Sequence, residues 1–129
     1  MTEMTSKEEF EEIAQKAFEL LPDVFTARVE NVRIVVEDLP SDDALERTRA
    51  SRSTLLGLYQ GIPLTHRGTW YGTSPTMPDK ITLYKRNIEA VCKNVDDIRA
   101  RIQEVLYHEL GHYFGMNEAE IRRAMKAYQ

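Results

Sequence analysis

The chain has 129 residues, 42% of them hydrophobic and 29% charged, and its formal net charge is −4. This is the composition of a globular protein, and its acidic balance excludes the basic surface that binds nucleic acid or anionic membranes. No apolar run approaches the ~20 residues that a membrane-spanning helix needs.

The chain has a single cysteine, Cys92, which excludes an internal disulfide framework and indicates a reducing compartment. The first residues lack the basic segment and apolar run of a signal peptide. We therefore expect one cytoplasmic domain over residues 1–129, with no nucleic-acid or membrane partner. The sequence does not determine the oligomeric state.

The N-terminal third predicts a helix followed by a strand. Ser6 and Glu9 form a capping-box pattern, and Pro22 ends the helix. β-Branched residues in 32–36 favour a strand that Pro40 closes. The polar stretch 41–53 predicts a solvated loop or a frayed helix without chemistry. The core-facing stripe of the first helix is Phe10, Ile13, Ala14, Ala17, Phe18 and Leu21.

The middle of the chain predicts short strands and a loop. Residues 54–68, TLLGLYQGIPLTHRG, predict a hairpin or two short strands interrupted at Gly61 and Pro63. Residues 69–80 predict a loop rich in Gly, Pro and Ser, and residues 81–88, ITLYKRNI, predict a further strand.

Two helices are predicted at the C-terminus. The longer one covers residues 94–114, with Asn94 or Asp96 as N-cap and Gly115 as terminator. The last begins at Asn117 with Glu120 completing a capping box, and it buries Ile121, Ala124, Met125 and Tyr128. The order helix, strand, hairpin, strand, helix, helix predicts a small α+β domain.

The longer helix carries the motif HELGH at residues 108–112. His108 and His112 lie four residues apart on one helical face, where two imidazoles can bind one zinc ion. Glu109 points beside the metal, from where its carboxylate can deprotonate a metal-bound water. This is the H-E-x-x-H motif of zinc peptidases. Gly111 is costly inside a helix, and close approach of another segment would explain it.

The third ligand is a separate question. Gly115 is placed to turn the chain sharply and bring Glu118 back toward the metal. A glutamate carboxylate is an acceptable zinc ligand. Acidic residues at a helix start are also favoured by the helix dipole, which accounts for Glu118 or Glu120 without any metal. We expect Glu118 as the ligand, with Glu120 as an alternative.

The segments VVEDLP, LLGLYQGIPLT, PDKITLYKRNI and YHELGHYFGMNEAEI together resemble the small bacterial zincin-like metallopeptidases, built around H-E-x-x-H-x-x-G-x-x-D. The resemblance implies a minimal zincin-like α+β domain in which a small mixed β-sheet packs on the motif helix, with flanking N- and C-terminal helices. It carries over His108, Glu109, His112 and Gly115. Glu118 departs from the usual aspartate, and Tyr113 stands where a further histidine is common.

The leading hypothesis is a zinc-dependent peptidase that hydrolyses a peptide or protein substrate. Zn²⁺ on His108, His112 and Glu118 keeps one position open for water, and Glu109 is the general base. For the tetrahedral oxyanion the candidate donors are Tyr113, His66 and Arg67. A substrate backbone could pair with an exposed strand edge, which the resemblance implies to be the region GLYQGIPLT; the alternative is that this region is plain sheet structure.

Two other functions fit the same motif. One is a non-catalytic zincin-like binding or regulatory module. The other is a zinc hydrolase such as a peptide deformylase, with Cys92 as ligand, although Cys92 is also a typical small buried hydrophobe. Trp70 and Tyr71 either line a substrate groove or cover a core edge. Arg122 and Arg123 are expected on the solvated side of the last helix.

Overall fold

A computed structural model of the protein describes residues 4–21, 32–61 and 79–127. In these parts of the chain there are five helices and three strands. They are α1 (Lys7–Glu19), β1 (Val32–Glu37), α2 (Asp42–Thr48), β2 (Gly57–Gln60), β3 (Asp79–Tyr84), α3 (Lys85–Ala90), α4 (Val95–Tyr113) and α5 (Glu118–Ala127). The predictions for Pro22, Pro63, the loop 69–78 and Tyr128 lie outside the described residues, as does the side chain of Met125.

The sheet has the order β1-β3-β2 and is mixed. β1 runs parallel to β3 with Ile34 opposite Ile81, and β2 runs antiparallel to β3 with Tyr59 also opposite Ile81. Among the described residues β2 is therefore an edge strand. The strand predicted near residues 54–61 is present as β2, whereas the second half of the predicted hairpin is not described.

Helices α1 and α4 cover the sheet. α4 contacts β2, β3 and α1, and α1 contacts β1. The α1 capping box is formed as predicted: Glu9 N–H donates to the Ser6 hydroxyl, and Ser6 N–H donates to the Glu9 carboxylate. The core between helices and sheet includes Phe10, Ala14, Ala17, Leu21, Ile81, Leu83, Ile88, Ile98, Ile102, Leu106 and Leu110. The α+β architecture, with a small mixed sheet on the motif helix, is thus as expected.

Two local predictions need correction or refinement. The strand predicted over residues 81–88 starts at Asp79, inside the loop predicted over residues 69–80, and it ends at Tyr84, where Lys85 begins the short helix α3. Asn87 and Ile88 are buried in a helical turn, so tertiary burial overrides the strand preference of the preceding residues. The polar stretch after Pro40 forms α2, N-capped by Ser41, and Ala44 is buried.

None of the helices in the described parts of the chain combines the length and apolarity that a membrane crossing requires.

Candidate metal centre

Helix α4 places the two histidines of the motif side by side. Asn94 caps the helix, its side chain accepting from the Asp97 N–H, as predicted. Near the other end the His108 and His112 rings lie edge to face, with centroids 4.8 Å apart. Both side chains are partly exposed, at 37% and 38%. The helical spacing therefore delivers two imidazoles to one partly open surface.

Glu109 lies behind this pair and is 6% exposed. Its Oε1 accepts the backbone N–H of Tyr59 at 2.8 Å, and its Oε2 lies 2.8 Å from Nδ1 of His108. The carboxylate is thus held on one side by the edge strand β2 and on the other by the first histidine. Such double anchoring fixes its orientation.

The chain turns sharply after α4. Gly115 has φ 74°, a left-handed conformation that favours glycine, as predicted for the terminator. Its N–H donates to the His112 carbonyl at 3.0 Å, and the Met116 N–H donates to the Gly111 carbonyl at 2.9 Å. These two bonds form a Schellman motif. Asn117 and Glu120 then make the predicted capping box of α5.

This turn brings Glu118, the first residue of α5, onto the histidines. Both carboxylate oxygens lie 2.9 Å from His108 Nε2, and Oε1 lies 3.7 Å from His112 Nε2. Hydrogen bonding to Glu109, then to Glu118, outweighs burial and raises the pKa of His108 to about 9. The hydrogen bond from His108 holds the pKa of Glu118 below its ordinary value. A metal ion that binds His108 Nε2 would take the place of the hydrogen bond between this atom and Glu118.

Gly111 explains how α5 comes so close. A Cβ at this position would lie 2.4 Å from Cγ1 of Ile121, a residue buried in α5. Only a glycine lets the two helices approach to this distance. The expectation that another segment packs closely on Gly111 is confirmed, and that segment is the one that carries Glu118.

Gly57 has the same role on the other side of the site. A Cβ there would lie 2.5 Å from Cγ1 of Val105 and 3.6 Å from Cγ of Glu109. β2 therefore runs directly over α4, which is what allows the Tyr59 N–H to reach Glu109.

The donor set fits a zinc ion. Two histidines and a carboxylate are ordinary zinc ligands, and a tetrahedral site with bonds of about 2.0–2.1 Å has ligands about 3.3 Å apart. The distances from Glu118 to the two Nε2 atoms, 2.9 and 3.7 Å, fall on either side of that value. Among the described residues, His108, Glu109 and His112 also lie within 4.8 Å of one another. Two carboxylates thus compete as third ligand.

The two carboxylates contact different nitrogens of the His108 ring. Glu109 meets His108 at Nδ1, whereas Glu118 meets it at Nε2. An ion bound to Nε2 of both histidines has Glu118 at its side and Glu109 behind the ring. An ion bound to His108 Nδ1 would have to displace the contact with Glu109.

A cleft of about 410 Å³ opens beside His108 and Glu109. It lies between residues 50–57 and the face of α4 that carries Arg101 and Val105, and it extends to Arg122 of α5. We call it the α4 cleft. Asn87 supports its outer wall, since its side-chain amide donates to the carbonyls of Arg52 and Leu55.

Other residues considered from the sequence take different places. Tyr113 is fully buried, with its ring against those of Tyr59 and Phe114, so it presents no surface to a substrate. Cys92 belongs to the hydrophobic core, where burial raises the pKa of its thiol. The described residues do not bring it into the histidine cluster. The predictions for His66, Arg67, Trp70 and Tyr71 lie outside the described residues.

Three features of the site escaped sequence reasoning. Tyr59 acts through its backbone N–H, which no side-chain pattern signals. Gly57 was assigned only to a strand. Arg122 was expected on a solvated face and is indeed exposed, but it also borders the α4 cleft. Its spacing of four residues from Glu118, one helical turn, was the available signal.

The chain is similar to known proteins in sequence and in fold. Residues 29–127 match the sequence profile of a family described as zincin-like metallopeptidase. A solved structure of a conserved hypothetical protein from T. thermophilus superposes with a TM-score of 0.54 at 23% identity. The match covers 85% of this chain and 94% of that one, and it supports the fold alone. No curated protein matches the chain.

Proposed function

Since the chain belongs to the zincin-like metallopeptidase family, we propose that it is a zinc-dependent peptidase. His108, His112 and Glu118 hold the metal, and Glu109 is the general base. The observation that carries this proposal is the arrangement around His108, whose Nε2 faces Glu118 at 2.9 Å while Nδ1 faces Glu109 at 2.8 Å. This arrangement supports Glu118 as the residue that binds the metal and Glu109 as the residue that acts beside it.

Zinc, when bound, supplies a Lewis acid that polarises the peptide carbonyl and makes water acidic enough to attack it. The chain's own residues provide the rest. Oε1 of Glu109 accepts the Tyr59 N–H and Oε2 lies against Nδ1 of His108, and a remaining lone pair of this oriented carboxylate takes the proton of the attacking water. Glu109 then returns that proton to the leaving amine. Its burial keeps bulk water from competing for the carboxylate.

The edge strand β2 is the proposed binding surface for the substrate backbone. Among the described strands it pairs with β3 alone, and Gly57 lets it pack directly on α4 beside Glu109. An extended peptide pairing with this edge would pass over Glu109 and the histidines, in the manner of β-augmentation. The peptide bond to be cleaved would then lie where the base and the metal ligands converge.

Peptide cleavage is the experiment that tests this function. Zinc-loaded wild type is incubated with a random peptide library and products are identified by mass spectrometry. Glu109→Gln keeps the side-chain shape and removes the base, so we expect turnover to fall at least about 10²-fold with zinc content unchanged. Glu12→Gln, on the exposed side of α1, is the matched control and keeps full activity. Stoichiometric zinc without Glu109-dependent turnover would sink the proposal.

A non-catalytic zincin-like module is the second candidate, and one observation favours it. His108 makes hydrogen bonds to Glu109 and Glu118 at once, so these side chains can satisfy one another's hydrogen-bonding groups. Metal uptake distinguishes the two functions. A peptidase takes up one zinc ion at micromolar free metal, whereas a module maintained by these hydrogen bonds takes up none.

A further inference from the structure

The α4 cleft adjoins the proposed base and has an apolar interior. Leu55 and Leu56 form one wall and Val105 of α4 forms the other, with Gly57 between them. Its volume of about 410 Å³ is within the range of small-ligand pockets and exceeds what one leucine side chain fills. An apolar side chain next to the cleaved bond is therefore a natural occupant.

Two arginines border this apolar interior from different helices. Arg101 lies seven residues before His108 on α4, and Arg122 lies four residues after Glu118 on α5. Residues four or seven apart share a helical face, so Arg101 is on the same face of α4 as His108, and Arg122 is on the same face of α5 as Glu118. Glu104 is the acidic neighbour on this rim, with an oxygen 3.8 Å from Arg101.

The lining thus carries two arginines and two glutamates, with Glu104 on the rim beside Arg101 and Glu109, the proposed base, at the inner end. A helical residue rises about 1.5 Å, so Arg101 lies about 10 Å along α4 from His108, and Arg122 about 6 Å along α5 from Glu118. An extended peptide spans about 3.3 Å per residue, so the arginines lie roughly two or three residues from the bond to be cleaved, next to which the apolar side chain binds.

We propose that the α4 cleft is a substrate subsite for peptides in which an apolar side chain is followed, two or three residues along, by a carboxylate. Leu55, Leu56 and Val105 bind the apolar group, and Arg101 and Arg122 bind the carboxylate. The assignment rests on the proposed peptidase function and specifies its substrate class. The carboxylate is either the C-terminus of the peptide or an acidic side chain, which bind arginine alike.

Peptide binding tests the subsite independently of turnover. Zinc-loaded Glu109→Gln protein is titrated by calorimetry with acetylated pentapeptides that contain one leucine at varied distance from the C-terminus. Each is made as the free acid and as the amide, and a second series replaces an internal aspartate by asparagine. We expect the carboxylate form to bind about fivefold tighter at a spacing of two or three residues. Replacing the leucine by alanine should weaken binding at least about tenfold.

Matched arginine variants test whether the rim arginines cause the preference for the carboxylate. In the same background, Arg101→Gln with Arg122→Gln should abolish the preference for the carboxylate. Arg99→Gln with Arg123→Gln, on the same two helices but outside the cleft, should preserve it. Equal affinity for acid and amide at every spacing, or a preference that survives loss of both rim arginines, would overturn the subsite.

The outcomes also separate the subsite from the peptidase function. If wild type cleaves library peptides but binds acid and amide alike, the peptidase proposal stands and the subsite is wrong. If discrimination in binding depends on the rim arginines but no peptide is cleaved, the subsite stands and the peptidase proposal is wrong. The free-acid and aspartate series identify which carboxylate is bound.

Discussion

The backbone N–H of Tyr59 donates a 2.8 Å hydrogen bond to Oε1 of Glu109, joining the edge strand to the proposed base. The pairing of β2 with β3 makes this possible. Tyr84 N–H donates to the Leu56 carbonyl, so the ladder uses residue 56, and by alternation residues 58 and 60. The N–H of Tyr59 therefore points away from β3 and toward α4.

Removing the backbone N–H of Tyr59 should impair catalysis but preserve the pairing of β2 with β3. Tyr59→Pro deletes the donor without deleting a ladder bond, because this N–H faces outward. We expect turnover to fall about 10²-fold through misplacement of Glu109. Tyr59→Ala loses the same ring but keeps the N–H, and it should stay several-fold more active. Equal activity of the two variants in a peptide-cleavage assay would show that the hydrogen bond does not orient the base.

Glu118 should be required for metal affinity. Loss of a residue that merely supports a ligand typically lowers affinity 10–100-fold, so Glu118→Ala should lower zinc affinity by at least about 100-fold. Glu120→Gln lies two residues on and perturbs only the capping box, so it should keep zinc affinity within about twofold. Competition with a chromogenic chelator measures both. Greater loss in the Glu120 variant would move the third ligand to that residue.

The contact between Gly111 and Ile121 should limit substitution at the helix junction. Gly111→Ala places a methyl group 2.4 Å from Ile121 Cγ1, and we expect about 1–3 kcal/mol of destabilisation in urea unfolding. Ile121→Ala removes the opposing atom, so in the double variant the cost of the glycine change should disappear. Gly115→Ala is the control, because its cost comes from φ 74° and should persist with Ile121→Ala. Strict additivity of Gly111→Ala and Ile121→Ala would contradict the contact.

A buried carboxylate should make stability depend on acid pH. Burial by itself would raise the pKa of Glu89, but donation from Thr5 Oγ1 and the Met4 N–H, together with the Lys85 ammonium, holds it below the ordinary value of 4.5. A pKa lower in the folded state stabilises the fold above pH 4.5, and this contribution is lost as the pH falls through the folded-state pKa.

Thr5→Val tests this contribution because it removes one donor to Glu89. At pH 7 it should cost about 1.5–3 kcal/mol in urea unfolding, and the difference from wild type should shrink below pH 4.5. Thr48→Val is the control, since the Thr48 hydroxyl donates to the neutral Ala44 carbonyl and its cost should not change with pH. A cost of Thr5→Val that stays constant from pH 7 to pH 3 would contradict the pKa assignment.

The parts of the fold that could be predicted are those fixed by local chemistry. Local interactions form the capping pairs Ser6–Glu9 and Asn117–Glu120 and the helix terminator Gly115. Each of them involves residues that are close together in the chain, so the local sequence determines the structure. The motif helix was predicted for the same reason. The strand predicted through residue 88 was wrong beyond Tyr84, because burial of Ile88 decides that segment and burial depends on distant residues.

The side chains of the candidate site could be predicted from the sequence, but its backbone contacts could not. His108, Glu109 and His112 follow from helical spacing, and Glu118 was a candidate from the turn at Gly115. The need for a close neighbour at Gly111 could be inferred, but not that the neighbour is Ile121. The Tyr59 N–H could not be foreseen, since every residue except proline has a backbone N–H and only sheet register gives this one its direction.

Anomalous diffraction at the zinc edge from zinc-soaked crystals tests most directly whether Glu118 binds the metal while Glu109 stays free to act as the base. We predict one peak within about 2.0–2.2 Å of His108 Nε2, His112 Nε2 and a Glu118 oxygen, with Glu109 beyond ligand distance. A peak ligated by Glu109 in place of Glu118, or no peak at this position, would contradict the account.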